Sequence, residues 1–448
     1  MRRAFVAAGR AVAGRSPPTP YLARRAYALE TTSTLFFAVA LAAIDSGVLS
    51  VYARQTFDGA VGETRLNFAV ALLGTMDALA NILSFIWSTV GQGRAKIRLI
   101  NLLQVGVIAA IAALAFMPRS GAGLMGLVAL ALTARVCWSG IITLRPTVWR
   151  SNYPREMRAQ MVGRLSIIQA VVIAAGGAAL GYALDVDRTW HRPAVLGACA
   201  VAAAAVVATS RQRVRRERQL LAREREGARP MAPWHGVAVV WKVLRADRRY
   251  AQFMLCMFVL GFGNLMISPI LAIVLREQFG LTYFRSILLT STVQMATQVV
   301  AIPVWARLLD RAHIVRFRAW HGWTFVGAGV LLVTGAATHT LGCFVAASVV
   351  LGIAYAGGTL AWSLGHVDFS PPSETSRYMA THVTLNGVRG LIAPITAVTI
   401  YESLKASGAD AAPWVLGVSL VVSIAGCVGF VALRVAMERE MKGFVRTV

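Results

Sequence analysis

RQRVRRERQLLAREREGARPMAPWHGVAVVWKVLRADRR, residues 211–249, cuts the chain in two and decides how the rest is read. The tract holds eleven arginines and one lysine, from Arg211 to Arg249, with six apolar stretches before it and six after. Three loops further on, residues 337–341 hold neither Lys nor Arg. Cytoplasmic loops of membrane proteins collect Lys and Arg, and exported loops do not. Working outward, the basic loops alternate with poor ones. Arg94, Lys96 and Arg98 form one basic group, and Arg145, Arg150, Arg155, Arg158 and Arg164 another. The intervening loops carry only Arg54 and Arg65, Arg119, Arg188 and Arg192, Arg276 and Arg285, and Lys405. The expectation is an all-α polytopic membrane protein with both termini in the cytoplasm, in the inner or plasma membrane.

Composition agrees. The apolar fraction is 57% and the mean hydropathy +0.61, against roughly 45–50% apolar residues in soluble domains. A net charge of +25 raises nucleic acid as a partner, but the basic residues sit beside apolar spans and no zinc-finger or RNA-binding signature is present. Topology marking and attraction to anionic lipid headgroups account for the charge, with no nucleic acid. Cys137, Cys199, Cys256, Cys343 and Cys427 lie far apart inside apolar stretches without C-x-x-C spacing. That spacing excludes a disulfide framework or a metal cluster and leaves them as packing residues. The first apolar run is too long for a signal-peptide core, so the basic tail before it is expected to be retained.

Twelve spans are expected: 31–52, 68–90, 97–117, 121–142, 165–184 and 194–208, then 251–274, 287–306, 319–337, 341–364, 379–400 and 413–433. Most approach the roughly 20 residues that cross about 30 Å of hydrocarbon as a helix. Strands of a barrel would be half as long and alternate in polarity. The resulting division is a basic tail (1–26), a six-helix lobe (27–210), a basic linker (211–250), a second six-helix lobe (251–436) and a tail (437–448). The first part of the linker reads as a solvated helix or flexible segment. Its second part places Trp234, Val237, Val240, Trp241 and Leu244 near helical spacing beside Lys242, Arg245, Arg248 and Arg249, which suggests an amphipathic helix at the membrane surface.

The two halves echo each other. Gly91-Gln92-Gly93-Arg94-Ala95-Lys96 follows the second span, and Ala306-Arg307-Leu308-Leu309-Asp310-Arg311-Ala312-His313 follows the eighth. Arg158, Ala178 and Tyr182 align with Arg377, Ala397 and Tyr401 at equal spacing. The shared register argues for a duplicated six-helix module. With these features the chain resembles the major facilitator superfamily over nearly its whole length. The loop signature of that family is G-x-L-x-D-R-x-G-R-K/R, and the second copy here keeps Leu308, Asp310 and Arg311. The first copy departs from it, with Gln92 about where the acid stands. Pro154, Arg158 and Gly163-Arg164 are similar to the family's P-x-x-x-R-G pattern. The resemblance implies two pseudo-symmetric lobes and a cytoplasmic gate at Gly93, Arg94, Asp310 and Arg311, where acid and base at helix ends pair and separate. A local helix-end ion pair is the simpler role for these residues, worth roughly 0–1 kcal/mol when exposed.

Charge inside a bilayer costs at least a few kcal/mol per residue and marks function. Asp45, Asp77, Arg135 and Arg389 lie within the expected spans and sum to zero. Asp77 and Asn81 share a helix face, as do His382, Asn386 and Arg389. Asn264, Gln294, Gln298 and Gln169 add neutral polar groups, while the third, sixth, ninth and twelfth helices carry almost none. The resemblance implies a central cavity lined by the helices that do carry them. Asp45 or Asp77 is then expected to carry a proton, since low dielectric raises a carboxyl's proton affinity. Arg135 and Arg389 are expected to hold an anionic group or to pair with the acids; a static ion pair between helices is the structural alternative. On the fourth span, Arg135-Val136-Cys137-Trp138-Ser139-Gly140 shares only its arginine with the R-x-x-Q-G of the family's antiporters. Gly177 and Gly181 form a small-xxx-small face suited to close helix contact. Gly387, Gly390 and Pro394 flank Arg389, and Gly261, Gly263 and Pro269 flank Asn264, where bent helices point to a midplane site.

No G-x-x-x-x-G-K-S/T loop, metal-ligand cluster or nucleophile motif appears. The expectation is therefore not an enzyme and has no cofactor. It is a secondary transporter of a small-molecule solute, coupled to an ion gradient (a proton by default) and functional as a monomer. The alternative is a transporter-shaped sensor or scaffold that recruits a partner through the basic linker.

Overall fold

A run of twenty or more apolar residues satisfies its backbone within lipid only as a helix, and helices account for the chain's regular structure. The computed structural model describes residues 20–186, 191–226, 236–281, 285–286 and 288–447. Most of the expected basic tail, Arg188, Arg229, Trp234 and residue 287 lie outside the described residues. Sixteen α-helices and one π-helical turn are present among the described residues. Among the described residues, ten helices are long and apolar enough to cross a membrane, or eleven when one bent pair is counted as a single span. One more, Ile314–Ala337, stands where the ninth span is expected.

The chain forms two units, Pro17–Trp241 with Ser370–Val388, and Lys242–Phe369 with Arg389–Val448. The first unit contains α1 (Tyr21–Ala43), α2 (Ser46–Phe57), α3 (Glu63–Ile82), α4 (Phe85–Gly91), α5 (Lys96–Leu114), α6 (Gly121–Asn152), α7 (Arg155–Val186), α8 (His191–Ser210) and α9 (Glu217–Glu226). Two expected spans are broken. The first is interrupted at Ile44–Asp45 between α1 and α2, and the second bends by 42° between α3 and α4. Ser120 caps α6, accepting from the Gly123 N–H at 3.2 Å, a bond worth about 1 kcal/mol.

α10 (Gly236–Ala246) leads into the second unit, which contains α11 (Arg248–Glu277), the π turn Leu288–Thr292, α12 (Val293–Arg311), α13 (Ile314–Ala337), α14 (Leu341–Leu364) and α16 (Ala411–Thr447). α15 (Thr375–Ala406) contributes its first half to one unit and its second half to the other. Asp247 caps α11 through the Tyr250 N–H at 2.8 Å.

Helix packing carries the duplication. In the first unit α1 packs on α8, α5 on α8 and α6, and α3 on α6. In the second, α11 packs on α16, α13 on α16 and α14, and α12 on α14. Each set is the first helix on the sixth, the third on the sixth and fourth, and the second on the fourth.

Three expectations need correction. The tract 211–226 is not solvated on all sides: Val214 and Leu220 join the hydrophobic core of the first unit, and Gln212 and Glu224 are also buried. The strap is anchored by Asn152, whose Nδ2 donates to the Arg213 carbonyl at 3.0 Å and whose Oδ1 accepts from the Arg215 N–H at 2.9 Å. Gly181 faces open space, whereas Gly176 approaches Ala42 and Gly177 approaches Val48. The expected contact is therefore one turn earlier. The ninth-span helix holds more buried polarity than expected, because α13 buries His321 and, one residue before the expected span, Arg318. α10 buries Val239 and Val243 and exposes Val237 and Trp241 of the expected apolar face.

Candidate functional site

Polar groups inside the first unit gather around the breaks in its first two spans. The α1–α2 break leaves the Ile44 carbonyl without a continuing helix, and Arg135, midway along α6, donates to it through Nη2. The Nη1 of the same guanidinium lies 2.7 Å from the Asp77 carboxylate on α3. The Arg135 side chain is 11% exposed and that of Asp77 52%. Asp45, next to the break, is half-buried, and its carbonyl accepts from the Leu49 N–H at 2.9 Å. Arg135, Asp77 and the break beside Asp45 thus form one constellation.

Asn81 lies one turn beyond Asp77, and its carbonyl accepts from the Ser84 N–H as α3 bends into α4. At that bend the first half of α15 packs closely. The Ser84 hydroxyl donates to the Ala380 carbonyl at 3.1 Å and pairs with Thr384 at 3.0 Å. A Cβ on Gly387 would meet the Ile82 nitrogen at 2.5 Å and the Ala78 oxygen at 2.6 Å, so only glycine fits. His382 is buried on this half of α15, and Asn386 is half-buried.

Residues expected in the second unit turn largely to its own packing. Asn264 accepts from Ser423 of α16 at 3.4 Å, beside a 2.8 Å bond from Ser419 to the Gly263 carbonyl. Gln294 donates to the Leu289 carbonyl of the π turn at 3.2 Å, and Gln298 ties α12 to α14 through Thr359 at 2.9 Å. Arg389 donates to the Met257 carbonyl at 2.5 Å, its guanidinium lying where a Cβ on Gly261 would stand. Gly261 therefore has a definite purpose, to admit this side chain against α11. Asp310 is half-buried at the end of α12 and Arg311 is exposed. The following helix takes a carboxylate from elsewhere, with the Ile314 N–H donating to Asp368 at 2.9 Å.

At the loop after α4, Gly93 adopts a left-handed backbone, φ +66°, and its N–H donates to Glu224 of α9 at 2.7 Å. Arg94 is exposed.

Several buried polar groups had no counterpart in the sequence reading. Glu30 of α1 accepts from Arg145 Nε of α6 at 2.9 Å, and Arg145 also donates to Thr34 at 2.8 Å. Lys96 and Glu224 are an ion pair at 2.6 Å, each almost wholly buried. In α13 the Arg318 guanidinium lies 3.0 Å from His321 Nδ1, and His321 Nε2 lies 2.7 Å from the Ala354 carbonyl. A guanidinium only donates, so Nδ1 accepts and Nε2 carries the proton; His321 is held neutral. A repeated tryptophan was also missed. Trp87 Nε1 donates to the Val136 carbonyl at 2.9 Å, and Trp305 Nε1 to the Ile353 carbonyl at 2.9 Å, linking second helix to fourth in each unit.

The Major Facilitator Superfamily profile matches residues 35–319 and 253–447. Among solved structures, the proton:xylose symporter XylE bound to 6-bromo-6-deoxy-D-glucose is similar at TM-score 0.68 with 12% identity, over 91% of this chain and 94% of that one. The human organic anion transporter MFSD10 is similar at TM-score 0.63 with 14% identity, over 93% and 100%. The Escherichia coli fucose:proton symporter FucP gives 0.62 with 12% identity, over 90% and 98%. No curated protein sequence matches. The profile spans both halves of the chain: this protein belongs to the major facilitator superfamily.

Proposed function

We propose that the chain is a secondary active transporter of a small organic solute, working by alternating access with its arginine-rich loops and both termini in the cytoplasm, and driven by a proton gradient. The observation that carries this reading is the Asp77–Arg135 pair. Both groups lie well inside apolar spans, yet the carboxylate is half exposed. A carboxylate facing lipid would cost about 2.5–3.5 kcal/mol, so that exposure suits a water-lined path. Charge and break meet there: Arg135 spans from Asp77 to the carbonyl at the α1–α2 interruption. Protonation of Asp77 would release the guanidinium to another acceptor, including an anionic solute group. Symporters for xylose and fucose among the similar folds support an organic solute as cargo.

The test is solute flux into proteoliposomes under an imposed pH gradient, across a panel of sugars, carboxylic acids and amines. Uptake that depends on the gradient and is lost in Asp77→Asn supports the reading. Flux indifferent to the gradient removes proton coupling, and no flux for any solute removes transport.

The arginine face of the strap favours a second reading. Arg211, Arg213, Arg215, Arg216, Arg218, Arg223 and Arg225 are all exposed, a surface suited to an acidic partner if the protein is a sensor or scaffold. Absence of flux together with co-purification of a partner that is lost when these arginines become glutamine would establish it.

A further inference from the structure

The loop between α4 and α5, Gln92-Gly93-Arg94-Ala95, and the first residue of α5, Lys96, hold two cations and no acid. The carboxylate comes from 128 residues away. Glu224 of α9 accepts from Lys96 Nζ at 2.6 Å and from the Gly93 N–H at 2.7 Å. Lys96 completes its three donors on the Gly91 carbonyl at 2.6 Å and the Arg94 carbonyl at 3.3 Å. Arg225 lies over Gly93 and donates to its carbonyl at 3.3 Å. The loop's geometry is therefore set by α9.

Gln92 carries the contact onward. Its Nε2 donates to the Glu224 carbonyl at 3.2 Å, and its Oε1 accepts from Arg377 Nη2 at 2.6 Å. Arg377 stands in the first turn of α15, whose neighbour Ser376 pairs with Thr147 of α6 at 2.8 Å. Arg150 of α6 donates to Ser370 and Thr375 in the same region. Strap, loop and α15 are thus joined by one side chain with a donor end and an acceptor end.

We propose that α9 is a clip for the first half of α15. Glu224 is a positioning residue: it holds the loop in the register where Gln92 captures Arg377, and withdrawal of α9 frees the start of α15 from α6. The idea that this release opens a path rests on the transporter reading; the clip itself does not.

The experiment uses the full chain in detergent, with the five cysteines replaced and Ser376→Cys as reporter. A fluorescent maleimide reports opening at position 376, which is now nearly buried. Trypsin reports undocking through cleavage at Arg218, Arg223 and Arg225. Glu224→Gln is expected to raise both rates about tenfold. The reciprocal pair Lys96→Glu with Glu224→Lys is expected to leave both raised, because a lysine at 224 cannot accept from the Gly93 N–H and a glutamate at 96 cannot donate to the Gly91 and Arg94 carbonyls. Arg377→Gln, which leaves the buried pair intact, is expected to raise labelling while α9 stays protected. A Glu224→Gln protein whose α9 is cleaved while position 376 stays protected would overturn the proposal, showing a strap that only packs. So would parental labelling in Arg377→Gln, a readout independent of whether Glu224→Gln folds. Neither assay needs a transported solute, so absence of flux leaves the result standing.

Discussion

Replacing Arg145 by methionine should destabilise the first unit far more than removing the whole ion pair. Glu30 and Arg145 side chains are 6% and 12% exposed. Without Arg145, the Glu30 carboxylate keeps only the Trp149 Nε1–H, 3.3 Å away. Stranding one partner of a buried pair costs about 3–5 kcal/mol. Glu30→Leu strands the guanidinium instead, but Arg145 keeps Thr34 at 2.8 Å and the Trp149 ring at 5.6 Å. A cation over an aromatic ring recovers about 0.5–2 kcal/mol, so this change should cost less, about 1–3 kcal/mol. The double variant Glu30→Leu/Arg145→Met leaves no buried charge. Its cost is the two neutral groups at Thr34 and Trp149, together about 1–3 kcal/mol. The singles should therefore sum to at least about 1 kcal/mol more than the double. Equilibrium unfolding in mixed micelles with increasing dodecyl sulfate, followed by tryptophan fluorescence, measures all four corners. Additive costs would refute the reasoning, because they would mean that each charge finds water on its own.

Gly387→Ala should cost about 1–3 kcal/mol by overpacking, since the atoms its Cβ meets are backbone. Gly181→Ala, with open space at that position, should leave the same unfolding midpoint unchanged or raised. Gly261→Ala should displace Arg389 from the Met257 carbonyl and cost about 1.5–3 kcal/mol, the range for a charged hydrogen bond; Gly261→Ala/Arg389→Met should recover most of it in the same assay. Trp87→Phe and Trp305→Phe should each cost about 1–3 kcal/mol by leaving a carbonyl unpaired, within about 1 kcal/mol of each other. A silent member of the pair would show that the two units do not use the repeated bond alike.

The helices and their duplication were legible because a bilayer dictates both length and the sorting of arginine. The breaks were not. Neither Ile44–Asp45 nor Leu83–Ser84 contains proline or glycine, so the apolar run passes through each without a local signal. Glu30 and Arg145 were missed for the opposite reason. Each stands beside the end of an apolar run, and charge at a span's edge reads as loop, whereas α1 begins at Tyr21 and α6 runs to Asn152. Glu224 sits in a tract of mostly exposed arginines, and nothing local marks the one acid that faces Lys96. The Trp87 and Trp305 repeat was visible, because each stands five residues before the loop position shared by Gln92 and Asp310. A tryptophan inside a span reads as packing until its carbonyl partner is known.

Acids are scarce in a chain with 20 of them against 45 basic residues, and the ion pairs among the described residues sit differently in the two units. Glu30 with Arg145, Asp77 with Arg135 and Glu224 with Lys96 all belong to the first unit. In the second, Glu277 with Lys405, Glu440 with Arg249 and Glu438 with Arg434 pair beyond the ends of the expected spans, while Arg318 meets His321 and Arg389 donates to the Met257 carbonyl. A proton neutralises a carboxylate and so breaks an ion pair, and it would also take the Nδ1 lone pair with which His321 accepts from Arg318, but it changes neither a guanidinium nor a carbonyl. Within the transporter reading, the Asp77–Arg135 pair is the one placed inside the expected spans where a proton would break it, and Arg389 is proposed to meet the solute. Asp77→Asn should abolish accumulation against a gradient while leaving downhill exchange within about threefold of the parent. Arg389→Gln should raise the solute KM about tenfold or more and leave the proton:solute ratio unchanged. Loss of the ratio in Arg389→Gln, or its retention in Asp77→Asn, would contradict this division, because each would put the titrating group elsewhere than at Asp77.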